Sequence, residues 1–96
     1  MPKAYIIANI TVRDPEGYKE YIRLDTPVIE SFGGRFIIRG GRSEVLEGSA
    51  FERTAVIEFP DYASARAMYD SPEYQRAADI RRATAEAVLI LVEGVP

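Results

Sequence analysis

Four short runs of alternating apolar residues, a capped helical stretch after the first, and a second capped helical region before the last together predict an α+β domain. Their order is strand, helix, strand, strand, helix, strand. That is the split βαβ pattern of ferredoxin-like folds: a four-stranded antiparallel sheet with both helical regions on one face. At 96 residues the chain is expected to be one domain, 1–96, with room for a single core and with something to gain from burying surface against a second copy.

The first strand is expected over Ala4 to Val12. Ala4, Ile6, Ala8, Ile10 and Val12 share one face, and Tyr5, Ile7, Asn9 and Thr11 the other. Asp14-Pro15-Glu16 supplies an N-cap, a proline at the first helical position and an acid in the first turn. Tyr18, Tyr21, Ile22, Val28, Ile29 and Phe32 continue at helical spacing, with Pro27 predicted to kink or split the helix and Gly33 or Gly34 to end it. A second strand runs from Arg35 to Gly41. Strict alternation would place Phe36 and Ile38 on one face and Arg35, Ile37 and Arg39 on the other, while Gly40-Gly41 suggests a bulge or a close backbone approach.

Ser43 to Gly48 is read as an arm continuing that strand, and Arg53 to Phe59 as the third strand, with Ala55, Ile57 and Phe59 on one face and Thr54, Val56 and Glu58 on the other. Asp61 then caps a helix whose buried stripe is Tyr62, Ala65, Met68 and Tyr69, and Ser71-Pro72-Glu73 caps a further helical piece. Glu86 to Glu93 is the last strand, apolar on both faces over Val88 to Val92, as suits a strand covered on both sides. With the helices on one face, Tyr5, Ile7, Ile37, Val56 and alternate residues of the last strand are left bare on the other. Burying several hundred Å² of such a patch would contribute on the order of ten kcal/mol before association costs. A homodimer packed sheet on sheet is therefore expected.

Composition narrows the chemistry. The chain has no cysteine and no histidine, so a Cys/His zinc site, a thiolate nucleophile, a histidine-ligated haem and a histidine base are excluded, and no cofactor is expected. The net charge of −3 with mixed signs fits an ordinary water-facing domain and speaks against nucleic acid. Tyr5 to Ile10 superficially resembles the first-strand motif of RNA-binding domains, but Thr54 and Val56 stand where bases would need aromatic rings. No run is long enough to span a membrane, no signal-peptide pattern opens the chain, and no phosphate-loop or dinucleotide pattern occurs; a cytoplasmic protein is the expectation.

Several ordered segments carry a resemblance. Phe32-Gly33-Gly34-Arg35-Phe36-Ile37-Ile38-Arg39-Gly40-Gly41, Glu44-Val45-Leu46-Glu47-Gly48, Glu58-Phe59-Pro60, Tyr69-Asp70-Ser71-Pro72-Glu73-Tyr74-Gln75 and Val92-Glu93-Gly94 together resemble the domain of unknown function 1330 family. The resemblance covers nearly the whole chain and implies a ferredoxin-like, dimeric α+β barrel. It implies no reaction. Related barrels include cofactor-free monooxygenases of small aromatic compounds, lactone isomerases, stress-responsive proteins and haem enzymes; the last lack their usual histidine here.

Strand parity places Asn9, Arg35, Arg39 and Glu58 on the sheet face between the two subunits. There Arg39 could hold a carboxylate or enolate, Glu58 could act as a base if burial raised its pKa, and Asn9 could orient a carbonyl. The same residues also fit a structural role, with Arg39 and Glu58 as a buried ion pair fixing register or the dimer. Tyr21, Tyr69 and Tyr74 could present phenols to a ligand at the cavity mouth or simply pack the helices; Ser71 is either a ligand contact or an N-cap. Arg81-Arg82 reads as a solvated pair complementing a helix C-terminus. Two functions follow as alternatives. One is a cofactor-independent enzyme acting on a small anionic or aromatic molecule in the cavity between sheets; the other is a non-catalytic dimer that binds a metabolite or serves as a structural module.

Overall fold

The computed structural model describes residues 2–96. The strands are β1 (Ala4–Val12), β2 (Arg35–Arg39), β3 (Arg53–Phe59) and β4 (Ala85–Glu93), and the helices α1 (Pro15–Ser31), α2 (Tyr62–Asp70) and α3 (Pro72–Thr84). The sheet order is β2-β3-β1-β4, antiparallel throughout, as the split βαβ pattern requires. Ala4, Ile6, Ala8 and Ile10 are buried beneath the helices with Ile57 and Phe59, and Tyr18, Tyr21, Ile29, Met68 and Tyr74 close the core from above.

Both long helices begin where their sequences dictate. Asp14 accepts a bond from the Gly17 amide at 3.2 Å, and Ser71 Oγ accepts one from the Tyr74 amide at the same length. The helix α1 passes through Pro27 without splitting. It ends in a Schellman motif: the Gly34 amide reaches the Ile29 carbonyl and the Gly33 amide the Glu30 carbonyl, with Gly33 at φ +84°. Gly34 is needed for a different reason, since a Cβ there would lie 2.7 Å from both Ile29 Cγ2 and Phe59 Cε1. Gly34→Ala is expected to cost about 1–3 kcal/mol by overpacking, read as a lowered urea midpoint at unchanged slope.

Two expectations need correction. Residues 41–50 form an exposed, irregular arm and do not continue the second strand. More consequentially, β2 bulges at Ile37: Phe36 pairs with Ile57 but Ile38 pairs with Val56, so two residues of β2 oppose one step of β3. Parity reverses beyond the bulge. Ile38 therefore joins the bare face, and Arg39, opposite Ala55, turns toward the helices. The bare face carries the cross-strand row Ile38, Val56, Ile7 and Ile90, with Ile37, Val88 and Val92 also exposed. No helix among the described residues is long and apolar enough to cross a membrane.

Candidate active site

The bulge separates the residues that parity had grouped. Asn9 and Glu58 stay on the bare sheet face, and Arg39 lies on the other. Asn9 is occupied by the backbone at the start of β3: its Oδ1 accepts from the Phe51 amide at 2.7 Å, and its Nδ2 donates to the Arg53 and Phe51 carbonyls at 3.0 and 3.2 Å. It thereby ties the end of the arm to β1. Glu58 pairs with Arg35 at 3.0 Å and Lys3 at 3.4 Å, not with Arg39. The hydrogen bond from Arg35 holds the Glu58 carboxyl below its ordinary pKa, the opposite of the shift a base would need.

Tyr21 and Tyr74 do meet. Their hydroxyls are 2.8 Å apart in the interior, where α1 crosses α3. Tyr69 packs on Tyr74 with ring centroids 5.6 Å apart, at the edge of a separate cavity of about 210 Å³ beside β4. Ser71 acts as the cap of α3 and also donates to the Met68 carbonyl at 2.8 Å.

Around the tyrosine pair the fold gathers Asp25, which carries no expectation from the sequence, and Arg81, which was expected in solvent. The stripe of α1 that carries Tyr18 and Tyr21 brings in Asp25 one turn later, 2 % exposed. On α3 the stripe from Tyr74 through Ala77 and Ala78 to Thr84 includes Arg81, 6 % exposed, whereas Arg82 bonds to Asp79 and Gln75 outside. Arg81 is thus an interior cation and not half of a solvated pair, and its Nε has no hydrogen-bond partner. Its guanidinium carbon lies 5.7 Å from the centre of the Tyr21 ring.

Burial raises the Asp25 carboxyl from 3.8 to about 6, despite the opposing pull of the Thr26 and Tyr21 hydroxyls and the charges of Arg39 and Arg81. Burial likewise lifts the Tyr21 phenol well above its ordinary value, so it stays a neutral donor. Asp25 lies in a pocket between the sheet and α1, walled by Tyr18, Tyr21, Tyr74, Phe36, Arg39 and Arg53. The cavity is about 30 Å³, roughly the volume of one water. Arg39 Nη2 donates to Thr26 Oγ1 at 3.0 Å, and that hydroxyl in turn lies 3.1 Å from Asp25 Oδ1. The single Thr26 hydroxyl proton is shared between Asp25 and the Ile22 carbonyl, 3.0 Å away, so Thr26 links Arg39 to the buried acid through contacts and not through a committed proton chain.

A four-stranded antiparallel sheet with its helices on one side and an apolar face on the other defines a ferredoxin-like α+β protein. The model of the domain of unknown function 1330 matches residues 3–95, and the chain belongs to that family. Comparison with curated proteins finds no match. Among solved structures, a protein of unknown function from Rhodopseudomonas palustris superposes with a TM-score of 0.81 at 22% identity, over 99% of this chain and 84% of that one. SnoaB, a cofactor-independent oxygenase from Streptomyces nogalater, gives 0.71 at 14% identity, over 100% and 96%. A dimeric ferredoxin-like protein of unknown function from Jannaschia sp. CCS1 gives 0.67 at 16%, over 96% and 99%.

Proposed function

We propose that this protein is a cofactor-independent enzyme that removes a proton from a small anionic or aromatic molecule, in the pocket between the helices and the sheet. The observation carrying this reading is the environment of Asp25: a carboxyl 2 % exposed, beside two neutral phenols and within reach of two cations. With a pKa of about 6 the group is mostly ionised at neutral pH yet basic enough to accept a proton. In the step, the substrate's C–H or O–H proton passes to the Asp25 carboxylate and the bonding electrons stay on the substrate as an enolate or phenolate. Because the Tyr21 and Tyr74 hydroxyls share one hydrogen bond, only one phenol proton is left over, and that one would donate to the developing oxygen. Such an electron-rich anion can be reprotonated elsewhere or react onward without a cofactor, a chemistry compatible with the description of the Streptomyces protein.

The test is deuterium uptake into a panel of phenols and enolisable acids in D₂O, followed by NMR. Turnover by the wild type should rise as pH climbs through about 6, where the carboxylate forms. Asp25→Asn should lower it by about a hundredfold or more, the ordinary worth of a positioned base. A folded wild type inert toward the whole panel would favour the non-catalytic reading, which the smallness of the cavity and the closed Tyr21 to Tyr74 bond support.

We further infer that two copies pair through their bare sheet faces. The apolar row Ile38, Val56, Ile7 and Ile90 supports this, as does the description of the Jannaschia structure as dimeric.

A further inference from the structure

We propose that Arg39 and Arg53 form a clamp for a carboxylate at the mouth of the Asp25 pocket, which makes the molecule turned over there a small carboxylic acid. The inference rests on the pocket reading above and adds the class of substrate. Arg39 faces Ala55 across the β2–β3 ladder, and Arg53 lies two residues before Ala55 on β3, hence on the same face. Diagonal neighbours of this kind stand about 7–8 Å apart at their backbones, a span two arginine side chains can close around one anion. Both wall the pocket that holds Asp25.

Neither guanidinium comes within ion-pair distance of an acid among the described residues; Arg23, Arg35, Arg66 and Arg82 each have such a partner, while Arg13, Arg42, Arg76 and Arg81 have none but do not wall the Asp25 pocket. Two like charges on one face of adjacent strands repel, and an anion between them removes the repulsion. Their surroundings keep the donor edges available. Arg39 stacks on Phe36, its Cζ 4.0 Å from the ring centre, and spends one nitrogen on Thr26; Arg53 stands 6.0 Å from the Tyr18 ring. Residue 40 makes room for the second head: a Cβ on Gly40 would come within 2.8 Å of Arg53 Nη2.

As it stands the pocket is too small for such an acid. A cavity of about 30 Å³ admits an organic acid only if side chains at its mouth swing aside, and Arg39 is exposed and Arg53 partly so. An acid that draws both arginines onto its carboxylate would open the pocket in the act of binding and leave its adjacent carbon facing Asp25. The bulge at Ile37 is then the feature that delivers Arg39 to this face.

Benzoate and its neutral analogue benzamide are the probes, titrated by calorimetry into the intact protein. Benzoate is expected to bind and benzamide at least tenfold more weakly. Arg39→Gln and Arg53→Gln should each weaken benzoate tenfold or more, Arg53→Lys should fall between, and Arg82→Gln, which removes the same charge from the outer face of α3, should change nothing. Circular dichroism of each free variant verifies the fold. Equal affinity for benzoate and benzamide, no benzoate binding by the folded wild type, or an equal loss in Arg82→Gln would each overturn the clamp. The base and the clamp fail separately: proton exchange lost in Asp25→Asn while benzoate ignores both arginines refutes the clamp alone. Arginine-dependent benzoate binding without exchange of any substrate refutes the base alone.

Discussion

Asp25→Asn is expected to be more stable than the wild type at pH 8 by about 3 kcal/mol and to lose that advantage below pH 4. The sign follows from the direction of the shift. The carboxyl titrates near 3.8 in the unfolded chain and at about 6 in the fold, so the folded state holds its proton more tightly. Its contribution to stability is fully present below 3.8 and is lost as pH rises through 6. At neutral pH the wild type therefore keeps an ionised carboxylate in a site where desolvation outweighs the help of Arg39, Arg81 and two hydroxyls. A carboxamide of the same shape avoids that cost. Glu58 and Asp61, whose pKa values are lowered, push stability the other way, but they do so equally in both proteins and cancel in the difference. Urea unfolding of the pair at a series of pH values measures the gap. A gap that is constant with pH, or a variant less stable throughout, would show that Asp25 is a satisfied core group with no stored proton affinity. If the gap opens between pH 4 and 6 while Asp25→Asn also abolishes proton exchange, the protein gives up stability to keep a base at its site.

The architecture was legible because its signals are local and agree with one another. Asp14, Pro15 and Ser71 sit at helix starts for reasons of hydrogen bonding that need no tertiary context, and the alternation in β1 and β3 survives intact. The site was less legible. Tyr21 and Tyr74 could be named, but their meeting at 2.8 Å depends on how α1 packs on α3. Arg39 was assigned to the wrong face because period-2 reasoning fails across an inserted residue, and the glycines that hinted at a bulge follow it by three positions. Asp25 carries no expectation from the sequence and Arg81 is read there as solvated, although both lie on the helical stripes that carry the tyrosines, Asp25 one turn beyond Tyr21 and Arg81 two turns beyond Tyr74. A charged residue falling in step with a buried stripe was the available signal. The apolar run of β4 fits both expectations made for it: one face packs under the helices and the other, with Val88, Ile90 and Val92, is bare in the single chain.

If two copies pair through the bare sheet faces as inferred above, Ile90→Lys is expected to leave a folded monomer, raising the dissociation constant by about a thousandfold or more. Ile90 is 52 % exposed in the single chain, in the row that runs through Ile7 and Val56 to Ile38, so an ammonium there meets water and costs the monomer little. In a two-fold pairing of these faces each substitution occurs twice, and every ammonium loses its hydration against an apolar partner; several kcal/mol per charge is the usual scale. The rows on either side limit how the faces can pair. Glu58, Arg35 and Lys3 make a charged border at one end, and Asn9 with Thr54 a polar one at the other, which leaves the aliphatic row as the surface water would most readily abandon. Sedimentation equilibrium at micromolar concentration reads the change, and far-ultraviolet circular dichroism verifies that the variant monomer is folded. A wild type already monomeric at that concentration would sink the pairing, and so would an Ile90→Lys variant that dimerises as tightly as before. In the second case the contact must lie elsewhere, and the exposed Val45 and Leu46 of the arm are apolar surface to alter next.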